Sequence, residues 1–184
     1  MISTMKLTLL AFILLFQTKL VGQTDSKDKK SIFPVFNYSQ LGPFTPGKLV
    51  SNIPNSIEQS NEEIVMEKAL SVKKFYLSHE MYKFPVWVQY FNDKILDFYI
   101  RLPSYFLHDT FHQSLINRYG KQKKYTLRDS TAVFEWDNNE FTRVYSGGCT
   151  ITCFPIYYAV ITKNRNQAPS TYIPLVDQFL VQAI

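Results

Sequence analysis

The stretch Tyr82–Leu102, YKFPVWVQYFNDKILDFYIRL, is rich in β-branched and aromatic residues that alternate with more polar ones. Alternation with a period of two is typical of β-strands that have one buried face. Asn92-Asp93 divides the stretch into two runs, and both residues tolerate the positive φ angles of a tight turn. The stretch therefore predicts an antiparallel hairpin of two strands.

The second strand of this hairpin has two distinct faces. We expect one face to be buried, and it carries Leu96, Phe98, Ile100 and Leu102. The opposite face carries Ile95, Asp97, Tyr99 and Arg101. Side chains alternate between the two faces of a sheet. A helix that covers the face with Phe98 therefore leaves the face with Tyr99 pointing away from that helix.

The same alternation is found before this stretch, over Val72–His79, and after it, over Lys124–Thr162. Between these regions a helix is predicted, because apolar residues recur four apart and a glycine follows them at the cap position: Leu107, Phe111, Leu115, Tyr119 and Gly120. Other helices are predicted from Thr45, over Glu62–Leu70 and at 172–184. These elements predict an α+β fold, an antiparallel sheet of about six or seven strands with helices packed on one face.

The chain contains a faint internal similarity. A shift of 46 residues superposes Tyr90–Ile95 on Trp136–Phe141, one predicted turn on another, and a predicted helix precedes each turn. One explanation is a tandem repeat of a helix and a hairpin, with units 45–102 and 103–162 and an insertion at 56–70. The other is the likeness that all aromatic hairpins share, and the sequence leaves both open.

The N-terminal segment has a cationic, an apolar and a more polar region in the order that is typical of a secretory signal peptide. A cationic start precedes the mostly apolar run Leu7–Phe16, which is shorter than the roughly 20 residues that a membrane span needs. We expect cleavage near Gly22, and the alternative is an uncleaved anchor. The predicted organisation is a signal peptide at 1–22, a flexible arm at 23–44 and a single domain at 45–184, in a secreted or periplasmic protein without a transmembrane segment in its mature chain.

The charge of the chain is mildly basic. Twenty Lys and Arg residues against fifteen Asp and Glu give a formal net charge of +5. The basic residues do not form the stripe or patch that marks nucleic-acid-binding proteins. We therefore expect no nucleic acid among the partners of this protein.

The two cysteines of the chain, Cys149 and Cys153, follow a pair of glycines. On a straight strand, residues four apart are separated by about 13 Å, whereas a disulfide needs Cα atoms roughly 4.4 to 6.8 Å apart. Gly147-Gly148 and Pro155 instead favour a curled loop that would bring the thiols together. Secretion and an even number of cysteines favour a disulfide, and the spacing does not fit zinc or thioredoxin-like motifs.

His108 and His112 are placed i and i+4 on the predicted helix, so both rings lie on one helical face. The motif HDTFH resembles the zinc-binding pattern HExxH, with the shorter Asp109 in place of glutamate. His79, the remaining histidine, lies on a predicted strand. We expect an exposed helical turn with no metal and no cofactor. A small secreted metal-dependent hydrolase that uses His108 and His112 is the competing function.

The helix end Leu115-Ile116-Asn117-Arg118-Tyr119-Gly120, followed by Tyr125 and by AVFEW at Ala132–Trp136, resembles a unit of small secreted bacterial proteins. These proteins include those with the beta-lactamase-inhibitor-like fold and the related outer-membrane-assembly lipoproteins. The resemblance covers about Thr45–Thr162 and is one of order and spacing. It implies helices on one face of an antiparallel sheet and an opposite face that binds protein. The chain departs from the pattern in its first-unit insertion and in the missing lipid-acceptor cysteine.

The sheet face opposite the helices is the predicted binding surface. Alternation and the 46-residue shift assign to it Trp87, Phe91, Tyr99, Phe141, Arg143 and Tyr145. Aromatic residues and arginine carry much of the binding energy of protein interfaces. The alternative is that the N-terminal arm, the insertion or the last helix covers this face. We expect a secreted, non-catalytic binding or envelope protein that recognises a macromolecule, with a protein as its partner.

Overall fold

The computed structural model describes residues 36–67, 70–80, 82–104, 106–128, 130–149, 153–164, 166 and 168–181. The predicted signal peptide at 1–22 and the first part of the predicted arm, 23–35, lie outside these residues. The rest of that arm belongs to the folded body. Tyr38–Phe44 forms a 3₁₀ helix, and Phe36 and Leu41 are buried.

Eight antiparallel strands form a sheet in the described part of the chain. They are β1 (Glu58–Glu67), β2 (Leu70–His79), β3 (Tyr82–Phe91), β4 (Lys94–Arg101), β5 (Lys124–Arg128), β6 (Thr131–Asp137), β7 (Phe141–Cys149) and β8 (Cys153–Thr162). Their order across the sheet is β1-β2-β3-β4-β8-β7-β6-β5. The predicted antiparallel sheet is confirmed, with eight strands in place of the six or seven expected.

The sheet consists of two four-stranded meanders, β1–β4 and β5–β8. Within each meander, consecutive strands pair with each other, as short connections favour. β4 pairs with β8, and Phe98 lies opposite Val160. The last strands of the two meanders therefore meet at the centre of the sheet.

The predicted 46-residue correspondence does not match equivalent strands. It superposes the turn between β3 and β4 on the turn between β6 and β7, which occupy different places in their meanders. The region 56–70, predicted as an insertion that contains the helix Glu62–Leu70, instead supplies β1 and the start of β2. Pairing with β2 outweighs the acidic signal for a helix start, because tertiary context overrides local propensity.

Two α-helices lie within the described residues, α1 (His108–Tyr119) and α2 (Leu175–Val181). A short 3₁₀ helix, Val50–Asn52, is found where an α-helix is predicted from Thr45. α1 ends at Gly120 as predicted. The φ angle of Gly120 is 80°, in the left-handed region that favours glycine.

Apolar side chains cover both faces of the sheet. The face that packs against α1 and the first 3₁₀ helix is here named the α1 face; it includes Phe75, Val88, Phe98, Trp136 and Tyr158, which cluster with Phe111 and Leu115 of α1. The face that packs against α2 is here named the α2 face; it includes Val72, Tyr99, Val144, Tyr157 and Ala159, which cluster with Leu175 and Val176 of α2. The prediction that the helices share one face is therefore wrong. A sheet that is apolar on both faces needs a cover on each.

The hairpin of β3 and β4 forms as the alternation predicts. Asn92 and Asp93 have φ angles of 48° and 63°, as its tight turn requires. Phe98, Ile100 and Leu102 are buried on the α1 face. The buried face of this strand is therefore confirmed for these three residues.

A register shift between Gln89 and Tyr90 breaks the alternation at the start of β4. Ile95 consequently packs on the α1 face. Leu96 is buried in a separate cluster with Leu70. The prediction that Leu96 shares a face with Phe98 is wrong, because an irregularity of one residue exchanges the faces.

Candidate binding site

Three of the six predicted binding residues lie on or beside the α2 face. The ring centre of Phe179 on α2 is 5.2 Å from that of Trp87 and 4.7 Å from that of Tyr99. Phe91 is partly buried beside the cluster of Leu70 and Leu96. The last helix therefore covers Trp87 and Tyr99, which is the alternative that the sequence left open.

The other three predicted residues lie on the α1 face. Tyr145 is fully buried there, whereas Phe141 and Arg143 are partly buried. Tyr99 and Val144 both pair with Ala159 and form one row across the sheet. Tyr145 is one position further along β7 and so points to the opposite face. The six residues consequently do not share a face, and the prediction that they do is wrong.

Arg143 lines a cavity of about 120 Å³ on the α1 face, and the Phe141 ring lies beside it, in contact with the Arg143 guanidinium. The first 3₁₀ helix, the last turn of α1 and the strands β4, β7 and β8 enclose it. We name this cavity the arginine–tyrosine pocket, because its lining includes Tyr38, Arg118, Tyr119, Arg143 and Tyr158.

Both arginines of this pocket stack on tyrosine rings. The guanidinium carbon of Arg143 lies 4.4 Å from the centre of the Tyr119 ring and 5.5 Å from that of Phe141. The guanidinium carbon of Arg118 lies 5.5 Å from the centre of Tyr38 and 6.0 Å from that of Tyr119. The two cations therefore contact one common ring, which holds them at the same opening.

The positive charge of the pocket has no acidic partner within the part of the chain that the structure describes. Among the described residues, no carboxylate forms an ion pair with Arg118 or Arg143. The tyrosines do not compensate, because burial raises the pKa of Tyr38 and of Tyr158 and keeps both hydroxyls protonated at neutral pH. The pocket can therefore attract an anion from solution.

Sequence reasoning found only Arg143 among the residues of this pocket. Arg118 and Tyr119 lie at the end of the predicted helix. In the sequence, Tyr119 fits the apolar stripe of that helix and so gives no sign of a binding site. Tyr38 comes from a segment predicted to be a flexible arm, yet its hydroxyl lies 2.7 Å from the Ser114 hydroxyl on α1. No local pattern indicates that these segments meet, because only the packing of α1 over β7 and β8 brings them together.

The predicted disulfide is confirmed. Cys149 ends β7, Cys153 begins β8, and their Cα atoms are 4.0 Å apart across the hairpin. The two cysteines are direct partners in the antiparallel pairing of β7 and β8, which excludes the alternative of one straight strand through both.

Loss of this disulfide should cost about 2 kcal/mol of unfolding free energy, because the bond closes a loop of only a few residues. The double variant Cys149→Ser/Cys153→Ser should show this loss in urea unfolding followed by tryptophan fluorescence. Wild-type protein in a strong reductant should match the variant. Equal stability of oxidised and reduced protein would contradict the prediction.

A second concave region lies at the end of the sheet beside this hairpin. It has a volume of about 400 Å³, and its lining includes Phe154, Pro155 and Arg101. The Phe154 side chain lies against Gly148 on β7, where an added Cβ would be 3.3 Å from the Phe154 ring. This region shares no lining residue with the arginine–tyrosine pocket.

The histidine pair of α1 faces the sheet. The Nδ1 atom of His108 lies 2.8 Å from the Tyr145 hydroxyl, and the ring centre of His112 lies 4.0 Å from that of Phe134. Burial lowers the pKa of both histidines, which favours their neutral forms. Within the residues that the structure describes, no third His, Cys, Asp or Glu joins them in a group that could hold a metal ion. No finding tests the competing hydrolase, which stays a prediction.

A buried carboxylate holds the start of α2 against the sheet. Oδ2 of Asp97 on β4 accepts hydrogen bonds from the Tyr172 hydroxyl at 2.6 Å and from the backbone N–H of Leu175 at 3.2 Å. Burial raises the pKa of Asp97 to about 7. This carboxyl group therefore changes charge near neutral pH while it anchors the helix that covers Trp87 and Tyr99.

Neither helix of the described residues is long and apolar enough to cross a membrane. Comparison with known proteins found no family model that matches the chain, no similar curated protein and no similar solved structure.

Proposed function

We propose that the chain is a secreted or periplasmic, non-catalytic protein that recognises a protein partner through the arginine–tyrosine pocket and its rim. The disulfide supports an exported protein, because disulfides persist in oxidising compartments. The signal peptide predicted at 1–22 would direct the export.

The observation that carries this proposal is a pair of guanidinium groups that lie over tyrosine rings and have no acidic partner among the described residues. Arginine and tyrosine are enriched among the residues that dominate binding energy at interfaces. A guanidinium that lies on an aromatic ring is held in place, so little conformational entropy is lost when it meets a ligand. Arg118 and Arg143 have this arrangement.

The expected partner exposes acidic residues. An uncompensated positive pocket attracts negative surfaces and repels positive ones. Of the six residues predicted for recognition, Arg143 lines this pocket and Phe141 contacts Arg143, so both would contribute to the interface. Trp87 and Tyr99 do not join this interface; they stabilise the sheet that carries the pocket, because they hold α2 on its opposite face.

The test is an affinity capture from the native culture fluid or envelope fraction, quantified by mass spectrometry. We expect Arg118→Gln and Arg143→Gln each to lower the yield of a common set of captured proteins by roughly tenfold. Arg101→Gln removes the same charge from the exposed Arg101 outside the pocket and should leave that set unchanged.

Circular dichroism should confirm that the three variants are folded. Capture of the same proteins at equal yield by wild type and by both pocket variants would contradict the proposed function. Equal losses with Arg101→Gln would also contradict it, because the capture would then follow net charge and not the pocket.

A further inference from the structure

We propose that the arginine–tyrosine pocket binds a single carboxylate group, which enters between Arg118 and Arg143. This inference rests on the proposed function, because it names the chemical group of the partner that this pocket takes. The same chemistry occurs in an acidic side chain, in a chain terminus and in a free organic acid.

Both guanidinium groups lie over aromatic rings, Arg118 over Tyr38 and Arg143 over Tyr119. A guanidinium on an aromatic ring uses its face, while its N–H groups lie in its own plane and point away from that face. These in-plane N–H groups match the two oxygens of a carboxylate. Among the described residues, no internal carboxylate occupies them.

The size of the pocket limits the ligand to an end group. The cavity of about 120 Å³ is well below the roughly 300 to 1,000 Å³ of pockets that enclose whole small-molecule ligands. A carboxylate with one or two carbon atoms fits this space. The remainder of the ligand must therefore stay outside, where Phe141, which contacts Arg143, can meet it.

The helix end at the pocket favours one negative charge over two. Arg118 and Tyr119 belong to the last turn of α1, where the helix dipole contributes a partial negative charge. Phosphate sites are commonly built at the opposite, N-terminal end of a helix. The partial negative charge at this helix end therefore opposes a phosphate dianion more strongly than a singly charged carboxylate.

Arginine side-chain NMR tests the inference on the wild-type full chain. Sodium acetate, acetamide and inorganic phosphate are titrated separately at constant ionic strength, and the Nε–Hε resonances of arginine are followed. We expect acetate to cause saturable shifts at Arg118 and Arg143 and none at Arg101. Acetamide, which has the shape of acetate without its charge, should cause none, and phosphate should bind at least tenfold more weakly than acetate.

Two further probes distinguish the sources of the carboxylate. N-acetylglutamate N-methylamide presents a side-chain carboxylate, and N-acetylglycine presents a chain terminus. Tighter binding of either one than of acetate supports the inference and identifies the source as a side chain or a terminus. Acetate as the tightest of the three also supports it and identifies a free acid.

Variants complete the test. Arg118→Gln and Arg143→Gln should each weaken acetate binding by roughly tenfold, and Arg101→Gln should not change it. Arg143→Lys keeps the charge but lacks the planar fork, so its affinity should lie between those of wild type and Arg143→Gln. Because the primary readout uses wild-type protein, it does not depend on the folding of any variant.

The inference is overturned if acetate shifts Arg101 as strongly as the pocket arginines, if acetamide binds equally well, or if phosphate binds more tightly. These results leave the proposed function standing as long as capture still depends on Arg118 and Arg143. A different result would separate the two proposals. If acetate binds saturably but capture does not change in Arg118→Gln or Arg143→Gln, the proposed function is contradicted and the carboxylate site is retained.

Discussion

Replacing Gly147 by alanine should destabilise the protein by about 3 kcal/mol, at the upper end of the usual cost of overpacking a core. A Cβ at this position would lie 2.3 Å from Nδ1 and 2.6 Å from Cε1 of His108. The ring cannot move away cheaply, because His108 is buried and the same Nδ1 atom pairs with the Tyr145 hydroxyl. The glycine is therefore needed for α1 to sit closely on β7.

Chemical denaturation of Gly147→Ala and wild type measures this cost. Gly42→Ala is the matched control, since an added Cβ there meets nothing within 4 Å, and its effect should be small. His108→Ala should remove most of the additional cost of Gly147→Ala in a double-mutant cycle. An unfolding free energy of Gly147→Ala equal to that of wild type would show that the helix does not approach the strand this closely.

Asp97→Asn should become progressively more stabilising, relative to wild type, as the pH rises from 5 to 8. The folded pKa of Asp97, about 7, lies above the value near 3.9 of an unfolded aspartate. The folded state therefore binds its proton more tightly, and this contribution to stability is present at low pH and lost as the pH rises through 7. Asparagine stays neutral throughout and retains an oxygen that can accept from Tyr172 and Leu175.

The difference in unfolding free energy between Asp97→Asn and wild type should grow by on the order of 2–4 kcal/mol over this range. The difference between variants is the correct measure because His108 and His112 oppose the trend. Their lowered pKa values stabilise the fold above pH 6.5 and cost stability below it.

Asp137→Asn is the control for this experiment. Its hydrogen bond from Thr142 lowers the pKa of Asp137, so the carboxylate is charged in both folded and unfolded states from pH 5 to 8. The stability difference between Asp137→Asn and wild type should therefore be flat in this range. A flat profile for Asp97→Asn as well would show that Asp97 is already ionised in the folded protein at pH 5.

The alternation of residues predicts most of the strands and the buried face of β4, because a period of two follows directly from backbone geometry. It fails at Leu96, where one shifted residue exchanges the faces. It also fails at Glu62–Leu70, because the apolar and acidic residues there suit a short helix as well as an edge strand. Only pairing with β2 decides between the two, and that pairing is not visible in the local sequence.

The sequence of β8 contains a signal for a cover on both faces of the sheet. Tyr157, Tyr158, Ala159 and Val160 on β8 are consecutive and all buried. Such an unbroken apolar run is typical of a strand that is buried on both faces. The run indicates covers on each side, and α1 and α2 supply them.

The candidate site depends on contacts between distant segments. Arg143 was accessible to sequence reasoning because arginine among aromatic residues is typical of interfaces. Its neighbours Tyr38 and Arg118 come from separate parts of the chain, and their positions follow from the tertiary packing alone. The disulfide could be predicted from the sequence because its two cysteines are close in sequence and follow a pair of glycines.

The pairing of β4 with β8 also has a consequence for the kinetics of folding. Strands within a meander are neighbours in sequence and can associate after short loop closures, whereas Phe98 and Val160 are separated by about sixty residues. Two hairpin-rich halves should therefore collapse rapidly, and their joining at this central seam should limit the overall rate. A substitution that weakens the seam would slow refolding far more than one of similar cost at either outer edge.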